Sequence, residues 1–418
     1  MTINLIKLRI MKVYKIFVAA VLAMVALTAC NDDNNEQQEP RAEIQLTQEQ
    51  HMLAEDGNEF AIDAFKAAND PKENALIAPY STQLSLAMLA NGAKGETLDE
   101  IMNAMHFAGK ASINDINEFY KTVTSGLTGA DSKVSLNTAN ALWVSNTTSP
   151  MANYIEALHS YYGATVSTID FSGPNALTKI NQWASDATGG KISKLLDEID
   201  PTSSVCLVNT MMFDGKWAKR FETKATKSGE FSNWQGEKEQ CMMMHGTMDA
   251  GIASTDEADV LELDYGNGSF VMDVIVPKDK HKINEFAASL THKRISDLIS
   301  AITPSKSVIV QMPKFEAKYS YNLIEQLKSL GISKAFGDAD FSGIANKQLT
   351  VTQCVQQLWV KVDENGTKVA AATGTVLGDI AYIGGKFTVD SPFVYLIRER
   401  STGVILAIGK VQTMAGMQ

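Results

Sequence analysis

Histidine, cysteine and serine are the side chains whose spacing most often signals metal, redox or nucleophilic chemistry, and here the spacing signals none. The six histidines, His51, His106, His159, His245, His281 and His292, are scattered, with no two at metal-ligand spacing. No Gly-x-Ser-x-Gly elbow, Ser-x-x-Lys pair, His-Glu-x-x-His helix or Gly-Lys-Ser/Thr phosphate loop occurs. The adjacent carboxylates Asp32 and Asp33 fall in a polar stretch where they are simply solvated. A triad can assemble from distant positions, but no motif here supports a hydrolase. The unusual stretch is chemically inert: "ENGTKVAAATGTV", residues 364–376. Its alanines suit a helix, whereas its glycines and β-branched residues do not. Alternate positions Thr367, Val369, Ala371, Thr373, Thr375 and Leu377 are mostly β-branched, as on a strand face. The stretch reads either as a strand or as an exposed loop able to become one.

The N-terminus suggests export. "MKVYKIFVAAVLAMVALTAC" places Lys12 and Lys15 before an apolar run over 16–27 and small residues before Cys30. That is a secretory signal, too short for a comfortable membrane span. "LTAC" resembles the lipobox of bacterial lipoproteins, in which the cysteine is acylated and becomes the mature N-terminus. The resemblance implies lipidation at Cys30 and a bacterial cell-envelope location, at the outer membrane or cell surface. Residues 31–46 are polar and acidic and are expected to form a flexible tether to a folded domain over 47–418. Cys206, Cys241 and Cys354 remain for that domain, an odd number without close spacing. Free buried thiols are expected, with one disulfide left open. A net charge of −11, with no dense Lys/Arg cluster to offset it, argues against a general nucleic-acid binder.

Helical patterns dominate the first third. "TLDEIMNAM" puts Leu98, Ile101, Met102 and Met105 on one face, with Thr97 and Glu100 at capping-box spacing. "FVMDVIVP" and "SVIVQMPKF" read as strands, and "SYNLIEQLKSLGI" as a helix stopped by Gly331. Two strand patterns flank Ser401, Thr402 and Gly403, a hairpin signal. Helices followed by strands without regular alternation indicate an α+β fold.

Motifs in order along the chain then identify a resemblance. "NALIAPYSTQLSLAMLANGAKGETLDEI", "INQWASDATGGKISKLL", "LVNTMMFDGKWAKRFETKAT", "MPKFEAKYSYNLIEQLKSLGISKAF", "VDENGTKVAAATG" and "FTVDSPFVYLIRERSTGVILAIGKV" each resemble a block of the serpins, the serine protease inhibitors. The resemblance implies one domain of three β-sheets and eight or nine helices, with an exposed reactive-centre loop over about 364–388. It also implies irreversible, suicide-substrate inhibition of serine endopeptidases, with cysteine endopeptidases as a second class. The cleaved loop enters the main sheet as a new strand, so the protein is consumed and is not an enzyme. A non-inhibitory serpin that binds or carries a ligand is the alternative.

On that resemblance the hinge is Glu364, Gly366, Thr367, Val369, Ala370, Ala371, Ala372 and Thr373. The reactive bond is Ile380–Ala381 counted from Glu364, or Ala381–Tyr382 counted back from Pro392; Asp379 offers a third site. "TVLGDIAYIGG" lacks Arg and Lys, which disfavours trypsin-like targets and favours elastase-like or subtilisin-like ones, with Tyr382 keeping chymotrypsin-like cleavage open. The sheet-opening positions carried over are Trp217, Ser81, Asn209 and Gln356, with Ala78 where serine is usual and Gln356 where histidine is usual. No cofactor, metal or nucleic acid is implied. The expected partners are a covalently held endopeptidase and, through the lipid, a membrane, with the protein itself a monomer.

Overall fold

In the computed structural model, residues 39–367 and 385–417 are described. The chain runs through α1 (Gln48–Ala68), β1 (Ala75–Ile77), α2 (Pro79–Ala90), α3 (Gly95–Ala104), α4 (Ile113–Gly129) and β2 (Val134–Ser145). Then come α5 (Ala152–Tyr162), β3 (Thr165–Ile169), α6 (Ala176–Ala187) and β4 (Val205–Lys216). A run of strands follows: β5 (Lys227–Ser232), β6 (Lys238–Ser254), β7 (Ala258–Asp264) and β8 (Phe270–Pro277). After α7 (Ile283–Ala288) and α8 (His292–Ser300) come β9 (Thr303–Pro313), β10 (Phe315–Asn322), α9 (Ile324–Ser329) and β11 (Val351–Asp363). The described chain ends with β12 (Gly366–Thr367), β13 (Lys386–Thr388), β14 (Phe393–Glu399) and β15 (Ile405–Val411).

Continuous hydrogen bonding joins these strands into two sheets where three were expected. One has six strands, in the order β10-β11-β12-β4-β2-β3; the other has nine, β1-β15-β14-β8-β7-β6-β9-β13 with β5 beside β6. The merger comes from β6, whose first residues pair with β5 and whose last pair with β7, so one long strand serves both halves. Nine α-helices occur among the described residues. Helix α2 is buried on all sides, its polar Ser81, Thr82, Gln83 and Ser85 included, and packs on both β4 and β15. The main core fills the same space. A smaller core, with Ile180, Ala184, Leu195 and Val208, lies under α6 on the other face of the six-stranded sheet.

Two local expectations are corrected. Residues 40–46, expected in the tether, lie against the body instead. The Ala42 N–H donates to Ser269 Oγ and the Ile44 N–H to Ser401 Oγ, both at 3.0 Å, and Ile44 is buried. Ile44 reaches the bare backbone of Gly126, where an added Cβ would stand 2.8 Å from it. The tether therefore gives way to the body at Pro40. Second, Thr97 and Glu100 form no capping box, because α3 starts earlier, at Gly95. Thr97 Oγ1 accepts from the Asp340 N–H, and Glu100 accepts the Ser333 and Lys334 N–H groups.

The three cysteines among the described residues, Cys206, Cys241 and Cys354, are free. Cys206 sits opposite Gln353, and Leu207 opposite Cys354, so successive positions send the two thiols to opposite faces of the sheet. A disulfide between them is excluded by that register, and burial pushes both thiols up to about 12.

The nine-stranded sheet holds a buried ion network. Arg398 donates to Asp273 (2.6 Å) and to Glu262, and Arg400 pairs with Glu262 (2.9 Å) and Asp264. Replacing Arg398 with Met leaves the buried Asp273 without its ion-pair partner, while Glu262 keeps Arg400, and breaking such a pair is worth about 3–5 kcal/mol. Arg398→Met is therefore expected to lower the urea midpoint of the intact protein sharply; an unchanged midpoint would show the network to be neutral.

Candidate functional site

Strands β4 and β11 are central in the six-stranded sheet and parallel. They pair directly from Val351↔Val205 to Gln357↔Thr210. Beyond that point they part, and β12 occupies the opening. Gly366 and Thr367 pair antiparallel with Asp363 and Val362 on one side and with Lys216 and Gly215 on the other. The first two residues of the suspected strand are thus already a strand between two others.

The sequence around the opening explains why it holds. Gly366 has φ +149, and a Cβ there would stand 2.0 Å from the Gly215 carbonyl oxygen, so only glycine lets the chains approach. Thr367 points inward, 1% exposed, with its hydroxyl 2.6 Å from Tyr265 OH. Trp217 stacks on Tyr265, with ring centroids 4.5 Å apart. Its backbone N–H donates to Asn365 O and its indole N–H to Asp363 O, both at 2.9 Å. Trp217 therefore fastens the turn that feeds the hinge. Glu364 is buried, accepting from Lys314 Nζ (2.9 Å) and Thr226 Oγ1 (2.8 Å).

Burial alone would raise the Glu364 carboxyl, but the bonds from Lys314, the backbone and Thr226 outweigh it and hold the group below the usual carboxylate range. A depressed folded value means that the contribution to stability is full above the unfolded value, near 4.5, and is lost as pH falls through the folded one. Acidification below pH 4.5 is thus expected to free the turn and change Trp217 fluorescence. Lys314→Met should move that change to higher pH; if both proteins titrate alike, the ion pair is not what holds the turn.

The sheet-opening residues are only partly brought together. Gln356 stands opposite Asn209, and Asn209 opposite Asn140, in one row across the sheet. Gln356 accepts from the Ala78 N–H (3.2 Å) and donates to Ala78 O and Thr82 Oγ1 (3.0 Å each), closing the uncapped start of α2. Asn209 donates to Asn140 Oδ1. Ser81 Oγ and Asn209 Oδ1 are buried without hydrogen-bond partners. Sequence reasoning missed Thr82 and Asn140. Thr82 could have been found from its place one turn beyond Ala78; Asn140 needed the strand register.

Of the hinge, Val369, Ala370, Ala371, Ala372 and Thr373 lie outside the described residues. So do Asp379, Ile380, Ala381, Tyr382 and the lipidation candidate Cys30. Among the described residues no group of three or more His, Cys, Asp or Glu side chains is arranged to hold a metal. Among them too, no helix is long and apolar enough to cross a membrane.

Comparison with known proteins agrees with this architecture. A family described as "Serpin (serine protease inhibitor)" matches residues 55–414. An uncharacterized serpin-like protein of Methanosarcina acetivorans is 31% identical over 374 residues, 87% of each chain. Leukocyte elastase inhibitor A of Mus musculus is 29% identical, covering 84% of this chain and 97% of its own. Among solved structures, the thermophilic serpin Tengpin in its native state superposes with a TM-score of 0.81 at 27% identity, covering 92% of this chain and 99% of Tengpin.

Proposed function

Because this chain belongs to the serpin family, whose members are generally protease inhibitors rather than enzymes, we propose that it is a suicide-substrate inhibitor of serine endopeptidases, with cysteine endopeptidases a second target class. The observation that carries this reading is the hinge strand: Gly366–Thr367 already stands between β4 and β11, with Thr367 turned into the core.

In this mechanism the protease nucleophile attacks the carbonyl carbon of Ile380, or of Ala381 one bond later. The peptide C–N bond breaks, the new amine leaves with residues C-terminal to it, and the loop stays bound to the protease as an acyl ester. Extending the register of β12 carries Val369, Ala371, Thr373, Thr375 and Leu377 to the inward side. It also brings Thr373 between Asn209 and Gln356, beside the orphaned Asn209 Oδ1. Small side chains at Ala370 and Ala372 suit the opposite face, and a charge on the inward parity would stall the process. About fifteen residues at roughly 3.3 Å each make a strand of about 50 Å, long enough to carry the protease away before water resolves the ester.

The lack of Arg and Lys in "TVLGDIAYIGG" around the reactive bond supports elastase-like or subtilisin-like targets, and a similar mouse protein is named an elastase inhibitor. The N-terminal motif supports lipid attachment at Cys30, a signal peptide over 1–30, and a bacterial envelope location. The test uses protein lacking residues 1–30, incubated with pancreatic elastase, subtilisin, chymotrypsin and trypsin. A complex surviving denaturing electrophoresis is expected, and mass spectrometry of the released C-terminal peptide identifies the bond. Cleavage without complex by every protease, and without gain in stability, would instead favour a carrier protein.

A further inference from the structure

A cavity of about 780 Å³ lies between the segment 68–74, strand β10 and the C-terminal residues 415–417. Strand β10 ends the six-stranded sheet and pairs only with β11. Glu316 and Lys318 alternate with Tyr319 and Tyr321 across its two faces, yet all four line this cavity. The cavity therefore wraps around the free edge of the strand.

Its chemistry is one-sided. Asp70 and Glu73 stand exposed on one wall, and among the described residues neither makes an ion pair. Asp70 Oδ1 accepts the Lys72 backbone N–H at 2.7 Å. On the opposite wall Glu316 accepts from the Trp359 indole (2.9 Å) and lies 3.8 Å from Lys361. Two more acceptors adjoin the Asp70 wall. Asn69 Oδ1 and Gln412 Oε1 are buried without hydrogen-bond partners. Asn69 precedes Asp70 in the chain, and the Gln412 N–H donates to Asn74 Oδ1 in the cavity wall (2.7 Å).

The nearby cations do not meet this demand. Lys318 is placed over the Trp359 ring, 5.8 Å from its centroid. Lys410 Nζ already donates to Asp70 O (2.8 Å) and Asn284 Oδ1 (2.7 Å), and burial pushes its amine down to about 8. Tyr319 and Tyr321 stack with centroids 5.8 Å apart and planes 11° apart. Burial pushes Tyr321 up to about 12 and Tyr319 higher still, so both rings stay neutral.

We propose that this cavity binds a linear aliphatic polyamine, independently of the inhibitor reading. Unpaired carboxylates call for a cation. Among the described residues no three His, Cys, Asp or Glu side chains are arranged to hold a metal, so the cation is organic. Acceptors without donors call for N–H groups, which a quaternary ammonium lacks. Carboxylates on both walls call for more than one ammonium. The tyrosine faces attract such a group, while Ala68 and Met417 in the lining receive its methylene stem.

The probe is spermidine, titrated calorimetrically into the protein lacking residues 1–30. The buffer holds about 150 mM NaCl, which screens attraction between exposed charges beyond roughly 8 Å. Saturable one-to-one binding is expected. Asp70→Asn with Glu73→Gln should weaken it about tenfold, as the loss of two part-exposed ion pairs would. Tyr319→Leu should weaken it about threefold. Lys318→Gln removes a competing cation and should tighten binding about threefold, a gain that misfolding cannot mimic. Glu118→Gln with Glu156→Gln removes two exposed carboxylates outside the cavity and should change nothing. Absence of saturable binding, or equal weakening by the two carboxylate pairs, would overturn the proposal. So would displacement of spermidine by Mg²⁺ at equal charge, which would assign the site to inorganic cations. Tetramethylammonium bound as tightly as spermidine would remove the role of N–H donors and overturn it too. None of these outcomes depends on protease trapping.

Discussion

Cleavage of the loop is expected to raise the thermal unfolding midpoint of this protein by roughly 10 °C, an unusual direction for a nicked chain. The reason lies in the parted strands. Between the paired stretch ending at Gln357↔Thr210 and the β12 pairing at Val362↔Thr367, β4 and β11 have diverged. A strand entering between them fills that gap, then parts the direct pairing of Val351–Gln357 with Val205–Thr210 and replaces each bond lost there with bonds on both of its sides. At a net contribution of about 1 kcal/mol per hydrogen bond, about ten new bonds yield on the order of 10 kcal/mol. That is comparable to the whole stability of an ordinary domain. For a domain this long, each kcal/mol moves the midpoint by roughly 1 °C. Scanning calorimetry of intact and cleaved protein decides the matter, and coincident midpoints would mean that the cleaved loop stays out of the sheet.

Thr367→Arg is expected to convert the inhibitor into a substrate, cleaved at the same bond but with covalent complex reduced at least a hundredfold. Thr367 is fully buried, its hydroxyl on Tyr265 and its backbone between Val362 and Gly215. An arginine there must enter the core unpaired or hold the first step of insertion outside. Burying an unpaired charge costs several kcal/mol, and each 1.36 kcal/mol on the barrier slows a step tenfold. Insertion then loses its race with ester hydrolysis. The neighbouring Lys368, of opposite parity, supplies the control. Lys368→Glu should leave trapping within about twofold, since that side chain is turned to solvent in the inserted strand. Quantitative gels at fixed protease ratios report both variants. Equal loss at 367 and 368 would show that parity is not what matters.

The inward turn of Thr367 was legible in the sequence because strand alternation is a local property; the hinge positions beyond it lie outside the described residues. Strand β8 was read with its full bounds, Phe270–Pro277, since an uninterrupted apolar run between turns permits little else. The C-terminal hairpin was equally plain, with Gly403 at φ +73 in its turn. The helix expected over "SYNLIEQLKSLGI" begins only at Ile324, because Phe315–Asn322 is drawn into the sheet by pairing with β11. Partners distant in sequence account for the other departures. Thr97 and Glu100 have the spacing of a capping box but bond to residues 333–340. Residues 40–46 look like tether by composition, yet Ser269 and Ser401 offer them hydroxyls. The row of Gln356, Asn209 and Asn140 depends on register between strands far apart in the chain, which no single segment reveals.

The docking of residues 40–46 has a mechanical consequence. Pro40 O accepts from Asn267 Nδ2, and the adjoining Gly266 N–H donates to Lys216 O, the residue paired with Gly366. A pull on the N-terminal chain is therefore applied at the end of the molecule where the sheet is open. It is met first by the Pro40–Asn267 bond, then by the backbone bonds of Ala42 and Ile44 to two serine hydroxyls and by Ile44 lodged against Gly126. These contacts divide the load among the turn at 267–269, the hairpin at Ser401 and α4 at Gly126, so that only part of it passes through Gly266 and Lys216 to β12. Tension applied at Pro40 is in this way spread over three elements before it reaches the hinge strand.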